Sequence, residues 1–184
     1  MSKKRFKQEM LLKDGRKLTV KEAEPSEAKE LIRYIASVGG ESDFLTFAAG
    51  EYKITLEREI KLIHGSIETD NQAILIAWVQ NEIVGCGTFR AGKWQKVKHT
   101  GEFGLTVSKK NWGLGIGTLI TESLLNWAQK TTIIRKINLR VRSDNDRAIA
   151  VYKKLGFIEE GKITREFYIE GEFFDNILFG LAIN

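Results

Sequence analysis

The chain has 184 residues, 42% apolar and 29% charged, with one proline and no low-complexity tract, which excludes a long disordered linker and suits one globular domain spanning residues 1–184. A lone cysteine, Cys86, excludes a disulfide framework; no apolar run approaches membrane-spanning length, and the basic start is followed by no apolar signal core, so a soluble, reduced, cytoplasmic protein is expected. The net charge of +5 is scattered through mixed-sign segments rather than gathered in one block, so neither nucleic acid nor membrane is expected as a partner.

Asp14-Gly15 is a turn signal between Met10–Leu12 and Lys17–Lys21, so the chain opens with a hairpin or one bent strand. Pro25-Ser26 starts a helix whose apolar positions are Ala28, Leu31, Ile32, Ile35 and Val38, and Gly39-Gly40 stops it. The aperiodic stretch from Glu41 to Ile54 reads as a loop. Thr55 is placed to cap a second helix with Glu57 and Glu59 in its first turn, and Gly65 to end it. Ala73–Val79 and Ile83–Phe89 form the clearest hairpin, around Gln80-Asn81-Glu82. Lys93 to His99 is a basic connection.

The segment Glu102–Val107 alternates like a strand, whereas Ile116, Leu119, Ile120, Leu124, Trp127 and Ala128 recur at helical spacing. Between them lies Trp112-Gly113-Leu114-Gly115-Ile116-Gly117. Glycines at alternate positions let the backbone turn sharply and leave its amides open to a ligand. The first amides of a helix lack intrahelical partners and sit at the positive end of its dipole, so this turn reads as an anion site. A dinucleotide fingerprint G-x-G-x-x-G fails in both registers, because Thr118 and Ile120 stand where its third glycine belongs. The triphosphate loop fails as well, since no glycine of the turn precedes lysine. A strand, Ile137–Arg142, follows the helix and lies parallel to Glu102–Val107 through a right-handed crossover. A helix starts near Asn145 and ends at Gly156, and Ile163–Tyr168 and Phe173–Leu181 close the chain as strands around Glu170-Gly171.

Leu105-Thr106-Val107, the glycine turn from Trp112 to Gly117 and, about 30 residues on, Asn145-Asp-Arg-Ala148-Ile-Ala-Val-Tyr152-Lys-Lys-Leu-Gly156-Phe157 resemble the GNAT superfamily of acetyl-CoA-dependent N-acetyltransferases. The family motif Q/R-x-x-G-x-G/A falls on Trp112 to Gly117, with Trp112 departing from the glutamine or arginine. The resemblance implies an α/β fold: a mixed, twisted sheet of about seven strands with helices on both faces, its central parallel strands splayed to form the acetyl-CoA cleft. It implies acetyl-CoA as co-substrate, held by Leu105, Thr106, Val107, Trp112, Gly113, Leu114, Gly115, Ile116, Gly117, Thr118, Asn145, Ala148 and Tyr152. Backbone amides around Leu105 and Val107 would hold the pantetheine and polarise the thioester carbonyl, and Tyr152 would be the general acid that returns a proton to the departing thiolate.

Each of these residues has an ordinary reading too. Asn145 suits a helix N-cap as well as a pantetheine contact. Tyr152, one turn from Ala148 and Leu155, would otherwise be a core tyrosine. Glu102 is either a polar residue at a strand entrance or the general base for the amine, a task that a water chain can share. Lys109 and Lys110 read as a solvated pair or as phosphate contacts. His64 and His99 show no ligand spacing, so no metal is expected. Phe44, Phe47, Tyr52, Phe173 and Phe174 suit core, homodimer or acceptor contacts, the family placing its acceptor groove beside them. The acceptor is then a small-molecule amine such as a polyamine, or a peptide amine such as a protein N-terminus; the other reading is a non-catalytic acyl-CoA-binding or regulatory module.

Overall fold

The structure is a computed structural model that describes residues 5–184. The opening segment forms a complete hairpin: β1 (Lys7–Leu11) pairs antiparallel with β2 (Lys17–Glu22), and Gly15 takes the left-handed backbone, φ 84°, that the turn requires. β2 pairs with β3 (Gln72–Val79), and β3 with β4 (Glu82–Ala91) across Gln80 and Asn81, both at positive φ (48° and 66°), as a two-residue primed turn demands. β5 (Thr100–Val107) continues the antiparallel run, and β6 (Lys136–Arg142) lies parallel to it. β7 (Ile158–Ile169) and β8 (Glu172–Ala182) form the last hairpin, and β8 inserts beside β6, giving one sheet of order β1-β2-β3-β4-β5-β6-β8-β7. The sheet has eight strands where about seven are expected, because the chain opens with two paired strands instead of a bent one.

Four helices cover the sheet: α1 (Ala28–Val38), α2 (Leu56–Glu68), α3 (Ile116–Lys130) and α4 (Asp146–Lys154). Pro25 leads into α1 through a short 3-10 turn, and Thr55 caps α2 by accepting the Arg58 N–H at 3.2 Å. Gly65 does not end α2, which runs on to Glu68. A side chain at Gly65 would meet nothing within 4 Å, so the glycine lies on the open side of the helix. Meanwhile Ile60, Ile63 and Ile67 continue one apolar row into the core, and the buried Ser66 hydroxyl donates to Ile63 O at 2.7 Å. That packing outweighs the roughly 1 kcal/mol helix cost of a glycine. β7 likewise begins at Ile158, before the expected Ile163, since pairing with the apolar β8 recruits a polar edge segment that carries no alternation of its own.

The core has two halves, one on each face of the sheet. Phe89, Phe103, Ile120, Leu124, Leu139 and Phe179 pack between the sheet and α3 and α4; Leu31, Tyr34, Ile35, Ile63, Ile76 and Cys86 pack under α1 and α2. Helix α3 approaches β4 very closely. A Cβ at Gly85 or Gly87 would stand 2.5 and 2.8 Å from Ile120, so only glycine lets Ile120 seat there. Cys86 is buried and its thiol is pushed up to about 12 by burial, which makes it an inert core residue. Among the described residues no helix is long and apolar enough to cross a membrane.

Glu59 of α2 is buried, with the Tyr52 hydroxyl donating to its carboxylate at 3.1 Å. Burial holds its carboxyl above the ordinary value of 4.5, and the Tyr52 bond offsets only part of that. The native state therefore binds this proton more tightly than the unfolded chain, and stability is lost as pH rises from 4.5 through the folded value. Glu59→Gln keeps an oxygen for Tyr52 and abolishes the titration. It should melt above wild type at pH 7, with the difference shrinking below the ordinary value of 4.5; a thermal-melting series across that range checks it.

Candidate active site

β5 and β6 hydrogen-bond only at their first positions, Thr100 with Lys136, Gly101 with Ile137 and Glu102 with Asn138, and then splay. Beyond Glu102 the backbone groups of β5 that face β6 have no strand partner. A cavity of roughly 560 Å³ occupies the gap. It is lined by Leu105, Thr106 and Val107 of β5, by Trp112, Gly113, Gly115, Ile116, Gly117 and Thr118 of the turn and α3, and by Asn145, Ala148 and Tyr152 of α4 and its cap. Leu114 packs against the core instead, and Glu102 also lies outside the cavity.

The turn is locked from behind and open in front. Buried Asn111 donates to the Ser108 hydroxyl at 2.9 Å, which donates in turn to Val84 O at 3.3 Å, and the Trp112 indole N–H donates to Val107 O at 2.7 Å. Gly113 and Gly115 both take φ 87°, a conformation in which any side chain would be strained. Gly115 is the N-cap of α3 and offers no side-chain cap, unlike Thr55 at α2 and Asn145 at α4. The first helical bond of α3 runs from Leu119 N–H to Gly115 O at 3.0 Å, leaving the amides of Ile116, Gly117 and Thr118 without intrahelical acceptors. Cβ atoms built on Gly113, Gly115 and Gly117 would stand in ordinary contact, no nearer than 3.8, 3.9 and 3.5 Å to any neighbour, so no side chain crowds the turn, and all three glycines line the cavity. Lys110 is paired with Glu82 and Lys109 gives only its backbone N–H to Glu41, and neither lines the cavity.

Asn145 caps α4, its Oδ1 accepting the Ala148 N–H at 3.2 Å, which leaves its amide nitrogen as a donor for a ligand. Tyr152 is buried, its ring packed against Phe157 and Phe179 at centroid separations of 5.7 and 6.5 Å. No described residue hydrogen-bonds its hydroxyl, and Tyr152 lines the cavity. Burial pushes this phenol up to about 12, so it stays protonated through the neutral range. Glu102 is half exposed and bound to the Arg140 Nε at 3.1 Å; Arg140 lines the cavity and also pairs with Glu166 at 2.7 Å.

Residues 41–157 match the acetyltransferase (GNAT) family. The chain belongs to that family. A GNAT-family acetyltransferase of solved structure from Streptococcus pneumoniae superposes with a TM-score of 0.88 at 33% identity, over 91% of this chain and 99% of that one. The yncA protein of Salmonella typhimurium, whose structure carries acetyl-CoA, shares the GNAT fold with a TM-score of 0.78 at 13% identity over 91% and 94% of the two chains. The spermidine N(1)-acetyltransferase of Escherichia coli is 29% identical over 96 residues, 50% of this chain and 52% of that protein. The chain spans about half the length of the curated relatives it matches first.

Two residues that bind this GNAT site together escaped the sequence reading. Tyr34 of α1 shares a hydrogen bond with Thr106 of β5 at 3.1 Å, fixing the helix to the strand that splays. Arg142, at the end of β6, is 7% exposed and grips Asp144 through two bonds of 2.7 and 2.9 Å. It also donates to the Asp43 carbonyl at 2.9 Å and lies between the rings of Phe44 and Phe174, 4.4 and 4.3 Å from their centroids. The loop between α1 and α2 is thereby tied to the sheet. Phe44 and Phe174 had a visible signal as aromatics beside the site, but no periodicity announces the guanidinium between them. Arg142→Ala removes both ring contacts and the carbonyl bond, a loss on the order of 2 kcal/mol. Hydrogen exchange should accelerate across residues 41–54 while α3 keeps its protection, and a melt should register the stability loss.

Proposed function

We propose that this chain transfers an acetyl group from acetyl-CoA directly to a primary amine. The observation that carries this reading is the uncapped, glycine-lined start of α3 opening onto the same cavity as the unpartnered Tyr152 hydroxyl. The amides of Ile116, Gly117 and Thr118 bind the pyrophosphate, aided by the positive end of the helix. The unpaired edge of β5 around Leu105, Thr106 and Val107 receives the pantetheine, with the Asn145 amide nitrogen as a further donor. Acetyl-CoA supplies an activated acyl group as its thioester. Edge amides of β5 polarise the carbonyl, and Tyr152 donates its proton to the departing sulfur, for which a buried neutral phenol is suited.

The acceptor must lose a proton, because an amine with pKa near 10.4 is only about one part in a thousand neutral at pH 7. Glu102, held by Arg140 just outside the cavity, takes that proton through water. Direct transfer is favoured over a covalent enzyme step because Cys86 is buried with a raised thiol. The acceptor is a small-molecule or peptide amine entering beside the α1–α2 loop and the β7–β8 hairpin; relatives are named for spermidine, amino acids and ribosomal protein, so the relatives agree on an amine and differ on its carrier.

Acetyl-CoA consumption across polyamines, amino acids and peptides tests the activity, and binding without turnover on every amine would overturn it in favour of a non-catalytic module. Gly117 lies in helical backbone, where an alanine methyl would sit in ordinary contact with Leu105 and Val107 on the cavity wall and narrow the approach to the turn. Gly117→Ala should therefore fold at least as stably as wild type and bind acetyl-CoA about tenfold more weakly or worse, as calorimetry would record. Tyr152→Phe keeps the ring packing and deletes a hydroxyl without a protein partner. Its melting point should hardly move, whereas kcat falls roughly 10²-fold with acetyl-CoA affinity retained.

A further inference from the structure

Two cations on the cavity wall, Lys13 and Arg147, converge on the glycine turn from distant parts of the fold. Lys13 sits in the β1–β2 turn, held by Leu12 N–H to Arg16 O at 2.8 Å and Gly15 N–H to Leu12 O at 3.0 Å. Its carboxylate neighbour, Asp14, is occupied by Arg16 through the guanidinium (2.8 Å) and the backbone N–H (3.1 Å). Lys13 itself has no carboxylate partner among the described residues, and its Cε is the nearest atom, at 3.9 Å, to where a Gly115 side chain would begin.

Arg147 stands on the other side. Its Nη2 is the nearest atom, 3.8 Å, to the corresponding point at Gly113, and its guanidinium rests 5.8 Å from the centre of the Trp112 ring. That ring is held in place by its bond to Val107 O. Arg147 also has no carboxylate partner among the described residues, and it occupies the first turn of α4, where a cation opposes the helix dipole. Three acids line the same cavity: Asp144 is committed to Arg142, Glu41 accepts the Lys109 N–H, and Asp146 begins α4. Both cations are exposed and both face one uncapped helix start, a placement that suits an anion of more than one charge lying between them.

We propose that Lys13 and Arg147 form a two-sided clamp on the phosphates of coenzyme A, so that the N-terminal hairpin is part of the coenzyme site. The proposal rests on the acetyl-CoA reading given above. The test measures dissociation constants of coenzyme A, 3′-dephospho-coenzyme A and pantetheine for wild type, Lys13→Ala, Arg147→Ala and the double variant, with unliganded melting curves to verify folding. Each single variant should bind coenzyme A about tenfold more weakly and the double variant about a hundredfold, with a shallower salt dependence and unchanged pantetheine affinity. A penalty that disappears with 3′-dephospho-coenzyme A places that residue on the 3′-phosphate, and one that persists places it on the pyrophosphate; either upholds the clamp. Folded variants that bind coenzyme A as wild type does, or that lose pantetheine affinity equally, overturn the clamp alone. Failure of wild type to bind coenzyme A at all overturns the acetyl-CoA reading, and the clamp with it.

Discussion

The molecule depends on a parallel strand pair that is only half made. Once β5 and β6 part beyond Glu102 and Asn138, the sheet has an internal edge with backbone groups that need partners. The surrounding residues answer that need selectively. Trp112 donates to the Val107 carbonyl, while the strand before it is left facing the cavity. On the far side β8 pairs with β6 along its whole length, so the gap cannot close by strand exchange. The site is thus a defect in a sheet, kept open by complete pairing on either side of it.

Rigidity near the gap comes from packing. Ile120 occupies the space that side chains at Gly85 and Gly87 would fill, which seats α3 hard against β4 and sets where its first amides point. The aromatic neighbours of Tyr152 do the same for its hydroxyl on α4. The glycine-lined start of α3 and the Tyr152 side chain are then fixed on two different helices by one continuous core. Precision at the gap is inherited from residues that never touch it.

Much of this was legible in the sequence because the relevant physics is local. A glycine turn before an apolar helix, a Gln80-Asn81 hairpin and an Asn145 cap each follow from backbone conformation within a few residues. Local signals also misled where packing outweighed them: Gly65 looks like a stop but faces open space, and the polar start of β7 is recruited by its partner strand. Arg142, Tyr34 and Lys13 were invisible for the opposite reason. Each acts on a segment remote in sequence, and an arginine at a strand end or a lysine in a turn carries no mark of what it will meet. Of the candidate residues, Leu114 packs against the core and Glu102 pairs with Arg140 beside the cavity, two placements that depend on neighbours remote in sequence.

Arg142 holds the α1–α2 loop by one backbone carbonyl, at Asp43, and one ring, at Phe44. A carbonyl is the same whatever side chain the residue carries, so this attachment places almost no demand on the loop's remaining sequence. The segment from Leu45 to Ile54 is held by contacts of its own, since Leu45, Phe47 and Tyr52 pack against the core under α1 and α2 and Tyr52 donates to Glu59. Variation is thereby confined to the exposed positions of the loop, such as Thr46, Ala49 and Lys53, which can change without disturbing the strand edge, the glycine turn or Tyr152 behind it.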